Sequence, residues 1–472
     1  MKRLMMILLA VLVLMACAGA EESEPVVHSS GLWEFVILAD GTAEIVDYKG
    51  KAGTLTVPAE IKGYAVTSIG DRAFSYCETL TNVTLPDTVT SIGDGAFINC
   101  TKLTRITLPD SVTSVGINPF IFCSKLTEII VSPEHPALAT IDGVLIDKIN
   151  MRLICCPCGY QSESYAVPQG IRVIGDSAFY ECTELTSVTL PDTLTSIGVE
   201  AFSECHSLED ITLPDSLTSI GAGAFSWCTA LRRITLPDAV TSVGDSAFAF
   251  CYQLGKVTLP DSLTSIGEDA FYCCESLRRI KLPDSVASIG DGAFAGCESL
   301  RHVTLPDSLT SIGNGMFAGC QFLRNLKLPD SVTSIGDRAF ANCYYMPGIT
   351  LSGSLTSIGD MAFIYCYSLK RIMLPDSLTS IGAEAFANCD NLRSIKLPAS
   401  LTTIGEDAFS DCPRLTLTIP RDTWMTDWCE ENDLNYTYSL VWLYVLILVV
   451  VLLIMVLLIW RLWRHRRART AK

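Results

Sequence analysis

The chain has 472 residues, a formal net charge of -17 and 20 cysteines. Lys and Arg number 34 against 51 Asp and Glu, and both ends of the chain are basic, so the middle is more acidic than the total suggests. A strongly acidic body repels other polyanions, which argues against nucleic-acid binding and against adsorption to an anionic membrane surface.

Residues 1–20 have the pattern of a secretory signal peptide, with Lys2 and Arg3, a short apolar run and then small residues. The apolar run is too short to span a bilayer. Ala18-Gly19-Ala20 offers a cleavage site, whereas the segment ending at Cys17 is similar to a bacterial lipoprotein box. The sequence therefore leaves open whether Cys17 is lipidated.

Residues 21–66 alternate between apolar and polar positions and are rich in β-branched residues, which predicts strands. Asp40-Gly41 separates two such runs and is typical of a hairpin turn. Because the end of a repeat array exposes apolar surface, we expect this segment to form an N-terminal β cap.

A phenylalanine then recurs at a constant separation in sequence, equal to that between Phe74 and Phe97. One longer step separates Phe120 from Phe179. The recurring residues are Phe74, Phe97, Phe120, Phe179, Phe202, Phe225, Phe248, Phe271, Phe294, Phe317, Phe340, Phe363, Phe386 and Phe409. A fixed period of this size predicts stacked supersecondary units, that is, a repeat solenoid over 67–420.

Positions within a repeat are numbered here from its Phe. Most repeats have a pattern of Cys at +3, Leu at +6, Val or Ile at +9, Leu at +11 and Pro at +12. The spacing of +6, +9 and +11 is that of a leucine-rich repeat. Apolar residues at +9 and +11 alternate with polar neighbours, which predicts a short strand that ends at the Pro. A second extended piece leads to Gly at +19, which we expect to permit a turn, and Ala-Phe-x-x-Cys is expected to form a helical turn. Because strands pack closely at about 4.8 Å, we expect a curved, right-handed coil with the strands on its concave face.

The period breaks at about 127–172, where the pattern predicts an irregular β-hairpin insertion. Residues 421–438 are expected to form a C-terminal cap. An uncharged apolar run with Trp at both ends predicts a single transmembrane helix at 439–463, and the basic tail 464–472 is predicted to be cytoplasmic. These segments together predict a single-pass cell-membrane protein with an extracellular repeat domain.

The consensus Leu-Pro-Asp-Ser-Leu-Thr-Ser-Ile-Gly, as at Leu305 to Gly313, is followed by Ala-Phe-x-x-Cys in most repeats. This consensus and the hairpin segment Ile141 to Leu145 resemble the BspA-like leucine-rich repeat surface proteins, which include treponemal members with repeats of the same length. The resemblance implies a cell-surface role in adhesion or host binding, and it brings no binding residues that transfer position by position.

Cysteine occupies position +3 in all fourteen repeats. Equivalent side chains of stacked coils point in parallel, which suits a disulfide badly, so we predict buried thiols that act as small hydrophobic residues. Cys155-Cys156-Pro157-Cys158 contains a C-x-x-C that is either a redox or metal half-site or structural. Cys273 and Cys429 lie outside the pattern, and their redox state is left open.

No cofactor, metal site or enzymatic activity is predicted. The five histidines have no triad or metal spacing. An Asp after the repeat's Pro would form a ladder that attracts Ca²⁺, but each coil offers one carboxylate where Ca²⁺ takes six or more oxygens. Turn chemistry after Pro explains the Asp.

Cations gather at positions +7, +8 and +10, which flank the buried +9 position of the strand. We expect them to form a basic, Thr-lined band that binds an extracellular protein, such as a host or matrix protein, or an acidic glycan. The alternative is that the cations offset the Asp ladder through weak pairs and that the protein is a structural spacer or envelope protein without a ligand. The oligomeric state is left open. The predicted ligand-binding residues are Arg233, Lys256, Arg279, Lys281, His302, Lys327, Arg371 and Lys396.

Overall fold

The computed structural model describes residues 26–421, 423–439 and 447–459. The described residues form two compact units, which fall within Met1–Ser162 with Val173–Cys182 and within Glu163–Arg172 with Thr183–Lys472. Each unit is a β-solenoid in which parallel strands of successive coils pair one repeat apart, as Ser91 pairs with Ser114 and Ser334 with Ser357. The predicted solenoid is confirmed.

The first unit contains the strands β1 His28–Ser30, β2 Trp33–Ile37, β3 Ala43–Tyr48, β4 Thr54–Thr56, β5 Glu60–Ile61, β6 Tyr64–Ile69, β7 Asn82–Thr84, β8 Ser91–Ile92, β9 Arg105–Leu108, β10 Ser114–Val115, β11 Glu128–Val131, β12 Leu138–Ile141, β13 Val144–Asp147, β14 Arg152–Cys155 and β16 Val173–Ile174. The second unit contains β15 Ser164–Ala166, β17 Ser187–Thr189, β18 Ser196–Ile197, β19 Asp210–Ile211, β20 Ser219–Ile220, β21 Arg233–Thr235, β22 Ser242–Val243, β23 Lys256–Thr258, β24 Ser265–Ile266, β25 Arg279–Lys281, β26 Ser288–Ile289, β27 His302–Thr304, β28 Ser311–Ile312, β29 Ser334–Ile335, β30 Ser357–Ile358, β31 Ser380–Ile381, β32 Ser394–Lys396, β33 Thr403–Ile404, β34 Thr416–Ile419, the helix α1 Met425–Glu431 and β35 Tyr436–Tyr438.

The first unit begins with the antiparallel strands β1, β2 and β3 and then continues in parallel. One sheet runs β3-β6-β8-β10 and another runs β4-β7-β9-β11. The period breaks at an antiparallel meander, β12-β13-β14, after which β14 pairs in parallel with β16. His135 is buried beside this meander, where its Nδ1 accepts the backbone N–H groups of Ala137 and Leu138.

Most coils of the second unit carry a first strand at about +8 to +10 and a second strand ending at +18, and the coils of Phe317, Phe340 and Phe363 have isolated bridges in place of the first strand. Second strands form, for example, the five-stranded parallel sheet β28-β29-β30-β31-β33. The last sheet is β32-β34-β35, and α1 lies between its last two strands in the chain. Met425 and Cys429 of α1 are buried, and Trp428 packs edge-on against Phe409 with ring centroids 6.2 Å apart.

The repeat phenylalanines lie at the centre of the coils and stack on their neighbours. Within the first unit, Phe74 and Phe97 stack with centroids 4.9 Å apart. Within the second, Phe386 and Phe409 stack at 5.4 Å. The repeat's Ala before the Phe, its Cys at +3 and its Leu at +6 are buried around this column.

The predicted helical turn at Ala-Phe-x-x-Cys is wrong, and the reason is a pair of left-handed residues that flank the repeat's Phe in every coil except that of Phe120, where Phe122 alone is left-handed. In the coil of Phe225, Gly223 has φ +60° and Trp227 has φ +59°. An α-helix of L-residues cannot continue through such positions. Phe225 N–H instead donates to Ala247 O of the next coil at 2.8 Å, and Trp227 N–H donates to Ala249 O at 2.8 Å.

Gly at +19, which was expected to permit a turn, is required for close approach of neighbouring coils and does not adopt a left-handed backbone. A β-carbon at Gly336 would lie 2.6 Å from Asn314 Oδ1 of the preceding coil. That same Oδ1 accepts the backbone N–H of Asp337 at 2.9 Å. Asp337 Oδ1 in turn accepts the N–H of Asp360 at 2.8 Å, so an Asx side chain at +20 links several successive coils.

The prediction of a transmembrane helix at 439–463 is wrong for the described part of the chain, in which no helix is long and apolar enough to cross a membrane. The predicted single-pass membrane localisation is wrong on the same ground. The remainder of that span, the tail 464–472 and the signal peptide 1–20 lie outside the described residues, as do residues 21–25 of the cap.

Candidate binding surface

The first strand of each coil exposes one side. In β25, Arg279 and Lys281 are exposed, while Ile280 between them is 4% exposed. The alternation follows from the two-residue period of a strand. We call the exposed +7, +8 and +10 positions of the second unit the first-strand face.

All eight predicted ligand-binding residues lie on this face and are exposed. Strand pairing brings equivalent positions of neighbouring coils side by side. The paired residues are Arg233 with Lys256, Arg279 with His302, Lys281 with Thr304, Lys327 with Thr350, Arg371 with Ser394 and Lys396 with Thr418. Thus the first two pairs place two predicted residues next to each other, and the other four place a predicted residue beside a hydroxyl.

Two of the eight residues make ion pairs with acids of the described chain. Arg233 Nε lies 3.2 Å from Asp210 Oδ1, and Arg233 also pairs with Asp210 Oδ2. The hydrogen bond from Arg233 lowers the pKa of the Asp210 carboxyl below its ordinary value. Lys396 Nζ lies 3.9 Å from Asp376 Oδ1, at the limit of an ion pair.

The other six residues, Lys256, Arg279, Lys281, His302, Lys327 and Arg371, make no ion pair among the described residues. Among the described residues, one Asp that follows a repeat's Pro pairs with a predicted ligand-binding residue: Asp376, in the long contact to Lys396. Hence the structure gives little support to the alternative in which the cations serve to offset that ladder.

Sequence reasoning missed two features of this face. The face changes sign abruptly, because Glu209 and Asp210 occupy the positions that Arg232 and Arg233 occupy one coil later. It is also bordered by aromatic side chains at +4 and +5, and the Arg301 guanidinium lies over the Phe322 ring at 5.7 Å. The signal for the second feature was present in the sequence as aromatic residues at +4 and +5, from Phe322 to Tyr367.

The repeat cysteines are free thiols, as predicted. In most coils the S–H is positioned to donate to the carbonyl of the preceding coil's Phe, as Cys366 Sγ does to Phe340 O at 3.3 Å. Burial raises the pKa of the Cys366 thiol to about 12. The cysteine ladder therefore fills the core and offers a hydrogen bond to a backbone carbonyl in most coils.

The surroundings of the C-x-x-C motif also favour a structural role. Cys155 and Cys156 are buried, and burial raises the pKa of Cys158 to about 12. A reactive or metal-binding cysteine needs an accessible thiolate, which these surroundings disfavour. No group of three or more His, Cys, Asp or Glu side chains in the described residues could hold a metal ion.

The family model for the BspA type leucine rich repeat region matches residues 59–158, 155–277, 218–346, 264–371 and 311–425. The chain belongs to the BspA-type leucine-rich repeat family. The resemblance seen in the repeat consensus is thereby confirmed. The fold and family are those of repeat proteins, which generally mediate interactions and lack enzymatic activity.

The chain is also similar to solved structures of leucine-rich repeat proteins. A leucine-rich repeat protein from Bacteroides ovatus is 28% identical, with a TM-score of 0.57, over 88% of this chain and 98% of that chain. A leucine rich cell surface protein from Faecalibacterium prausnitzii is 30% identical, with a TM-score of 0.43, over 86% and 97%. The leucine-rich repeat protein of Treponema pallidum is 27% identical, with a TM-score of 0.24, over 58% and 90%. A comparison with curated proteins gives no match.

Proposed function

We propose that this BspA-type protein binds an acidic extracellular macromolecule, a protein or an acidic glycan, through its first-strand face. The observation that carries the proposal is the set of six exposed residues, five of them Lys or Arg, that lie on one face without an acidic partner among the described residues. Cations that the protein does not neutralise itself attract and orient an acidic partner.

The repeat geometry suits an extended partner. Equivalent side chains recur at the spacing of neighbouring strands, about 4.8 Å, so the charges form a row and not a pocket. The acidic remainder of the chain repels an anionic ligand elsewhere and so confines binding to this face.

The test measures binding of heparin and of poly-L-glutamate to the immobilised protein at increasing salt. The charge-reversal variant Arg279→Glu, Lys281→Glu, Lys327→Glu is expected to bind on the order of tenfold more weakly, because three favourable charges become repulsive. Binding of the unchanged protein is expected to weaken as salt rises.

The matched control is Lys51→Glu, Lys102→Glu, Lys125→Glu, which makes the same change in net charge at exposed residues of the first unit. Equal loss in both variants would show that net charge alone decides binding and would refute the first-strand face. Absence of binding to either polyanion, and to arrays of glycans and matrix proteins, would favour the structural spacer instead.

A further inference from the structure

Two aromatic columns border the first-strand face in the coils between Phe317 and Phe386. Phe322 and Tyr345 stack with ring centroids 4.9 Å apart. Tyr344 and Tyr367 stack at 5.4 Å, and Tyr365 lies 6.1 Å from Tyr367. Because Tyr344 and Tyr345 are consecutive, the two columns are adjacent.

These rings are unusually accessible for a hydrophobic cluster. Tyr345 is 51% exposed and Tyr367 is 39% exposed. Met373, on the first-strand face of the same coil as Tyr367, is 86% exposed. Position +10 is Thr or Lys in most coils, as at Thr304 and Lys327, so Met373 departs from the repeat toward an apolar surface.

The aromatic columns and the cations form one surface. Arg301 covers the Phe322 ring at one end of a column. Lys370 and Arg371 follow Tyr367 by three and four residues and are exposed. Exposed apolar surface mixed with Tyr and Arg is the composition that marks energetic hot spots in protein interfaces.

The same features disfavour a glycan at this place. A sugar packs on the open face of an aromatic ring, whereas the columns use ring faces to stack on one another and on Arg301. The flexible thioether of Met373 adapts to apolar side chains, which a polyanionic glycan does not provide.

We propose that Tyr344, Tyr345, Tyr365, Tyr367 and Met373, called here the Tyr-Met patch, dock an acidic protein segment that also carries aromatic or apolar side chains. Its carboxylates pair with Lys370 and Arg371, and its apolar side chains cover the patch. This inference rests on the proposed function, because it assigns the acidic partner of the first-strand face to the protein class.

The test compares three probes at one salt concentration: poly-L-glutamate, a random copolymer of glutamate and tyrosine, and heparin. The variant Tyr345→Ser, Tyr367→Gln uses residues that the chain itself has at equivalent positions of other coils, as in Ser368 and Gln321. It therefore preserves the repeat, and unchanged circular dichroism and urea unfolding verify this. The control Tyr76→Ala, Ile149→Ser removes comparable exposed apolar surface from the first unit.

We expect the copolymer to bind at least tenfold more tightly than poly-L-glutamate, and the patch variant to lose that difference while its heparin binding and the control remain unchanged. Equal binding of copolymer and poly-L-glutamate would overturn the docking proposal and leave the proposed function intact. Loss of heparin binding in the patch variant would assign the patch to a glycan, which also overturns it. If no probe binds the unchanged protein, the proposed function itself fails.

Discussion

Phe225 and Phe248 stack with parallel rings, their centroids 5.4 Å apart, although they lie one full repeat apart in the chain. Both side chains are fully buried. Replacing Phe248 with Ala removes contacts to both neighbouring coils, and we expect a loss of about 3–5 kcal/mol in the free energy of unfolding. Urea unfolding followed by circular dichroism measures it.

The control is Phe250→Ala in the same coil, because Phe250 is only partly buried and stacks on Trp227 at the surface. Phe250→Ala should reduce the free energy of unfolding clearly less than Phe248→Ala does. Similar losses at the two positions would contradict the view that the buried column carries the stability of the coil.

The Asx link at +20 gives a second prediction. Asp337→Ala leaves the N–H of Asp360 without its acceptor, and comparable losses of a capping side chain cost about 1 kcal/mol. Asp337→Asn should retain most of the stability, because Asn314 already serves as the acceptor one coil earlier. Asp330→Ala, at an exposed turn position, is the control for loss of charge and should stay within about 0.5 kcal/mol.

The sequence period was enough to predict the buried core. Phe, Cys at +3 and Leu at +6 recur at one offset, and stacked coils must place equal offsets side by side. Ile280 between Arg279 and Lys281 likewise followed from strand alternation. These features depend on local pattern and coil length alone.

The turns could not be predicted in this way. The left-handed positions hold Gly223 and Trp227 in one coil and Glu384 and Asn388 in another, so residue type does not reveal the conformation. The backbone conformation is imposed by hydrogen bonds to the next coil, which exist only once the coils are stacked. The aromatic columns differ from the turns, because their residues recur at equal offsets, +4 and +5, and that signal in the sequence was missed.

Gly315 offers a clean measure of the cost of a left-handed backbone. Its φ is +57°, and a β-carbon there would contact nothing within 4 Å. Gly315→Ala should therefore destabilise through backbone conformation alone, by about 1 kcal/mol. Gly315→Asn should cost less, because Asn tolerates this region. An Ala variant as stable as the parent in urea unfolding would contradict the φ assignment.

The buried thiols make stability depend on alkaline pH. Burial raises the pKa of Cys366 from its ordinary value of 9.0 to about 12. The unfolded chain therefore releases this proton first, and the stabilising contribution present below pH 9 declines as pH rises toward 12. Each such thiol contributes a slope of about 1.4 kcal/mol per pH unit in this window.

Urea unfolding under reducing conditions at several pH values checks this expectation. Cys366→Ala should be less stable than the parent at pH 7, because it loses packing and the hydrogen bond to Phe340 O. Above pH 9 the difference should shrink. A difference that stays constant would show that Cys366 does not titrate differently in the folded protein.

Removal of the acidic partner of Arg233, Asp210, is expected to strengthen ligand binding at the first-strand face. Arg233 lowers the pKa of the Asp210 carboxyl, so Asp210 stays ionised and holds the guanidinium at every pH above its ordinary value of 3.8. Asp210→Asn removes that negative charge and frees the donors of Arg233, so we expect roughly two- to threefold tighter heparin binding, the effect of about 0.5 kcal/mol. In an Arg233→Ala background the same substitution should gain less, because no guanidinium is released. Equal gains in the two backgrounds, measured as a double-mutant cycle, would show that Arg233 does not contact the ligand.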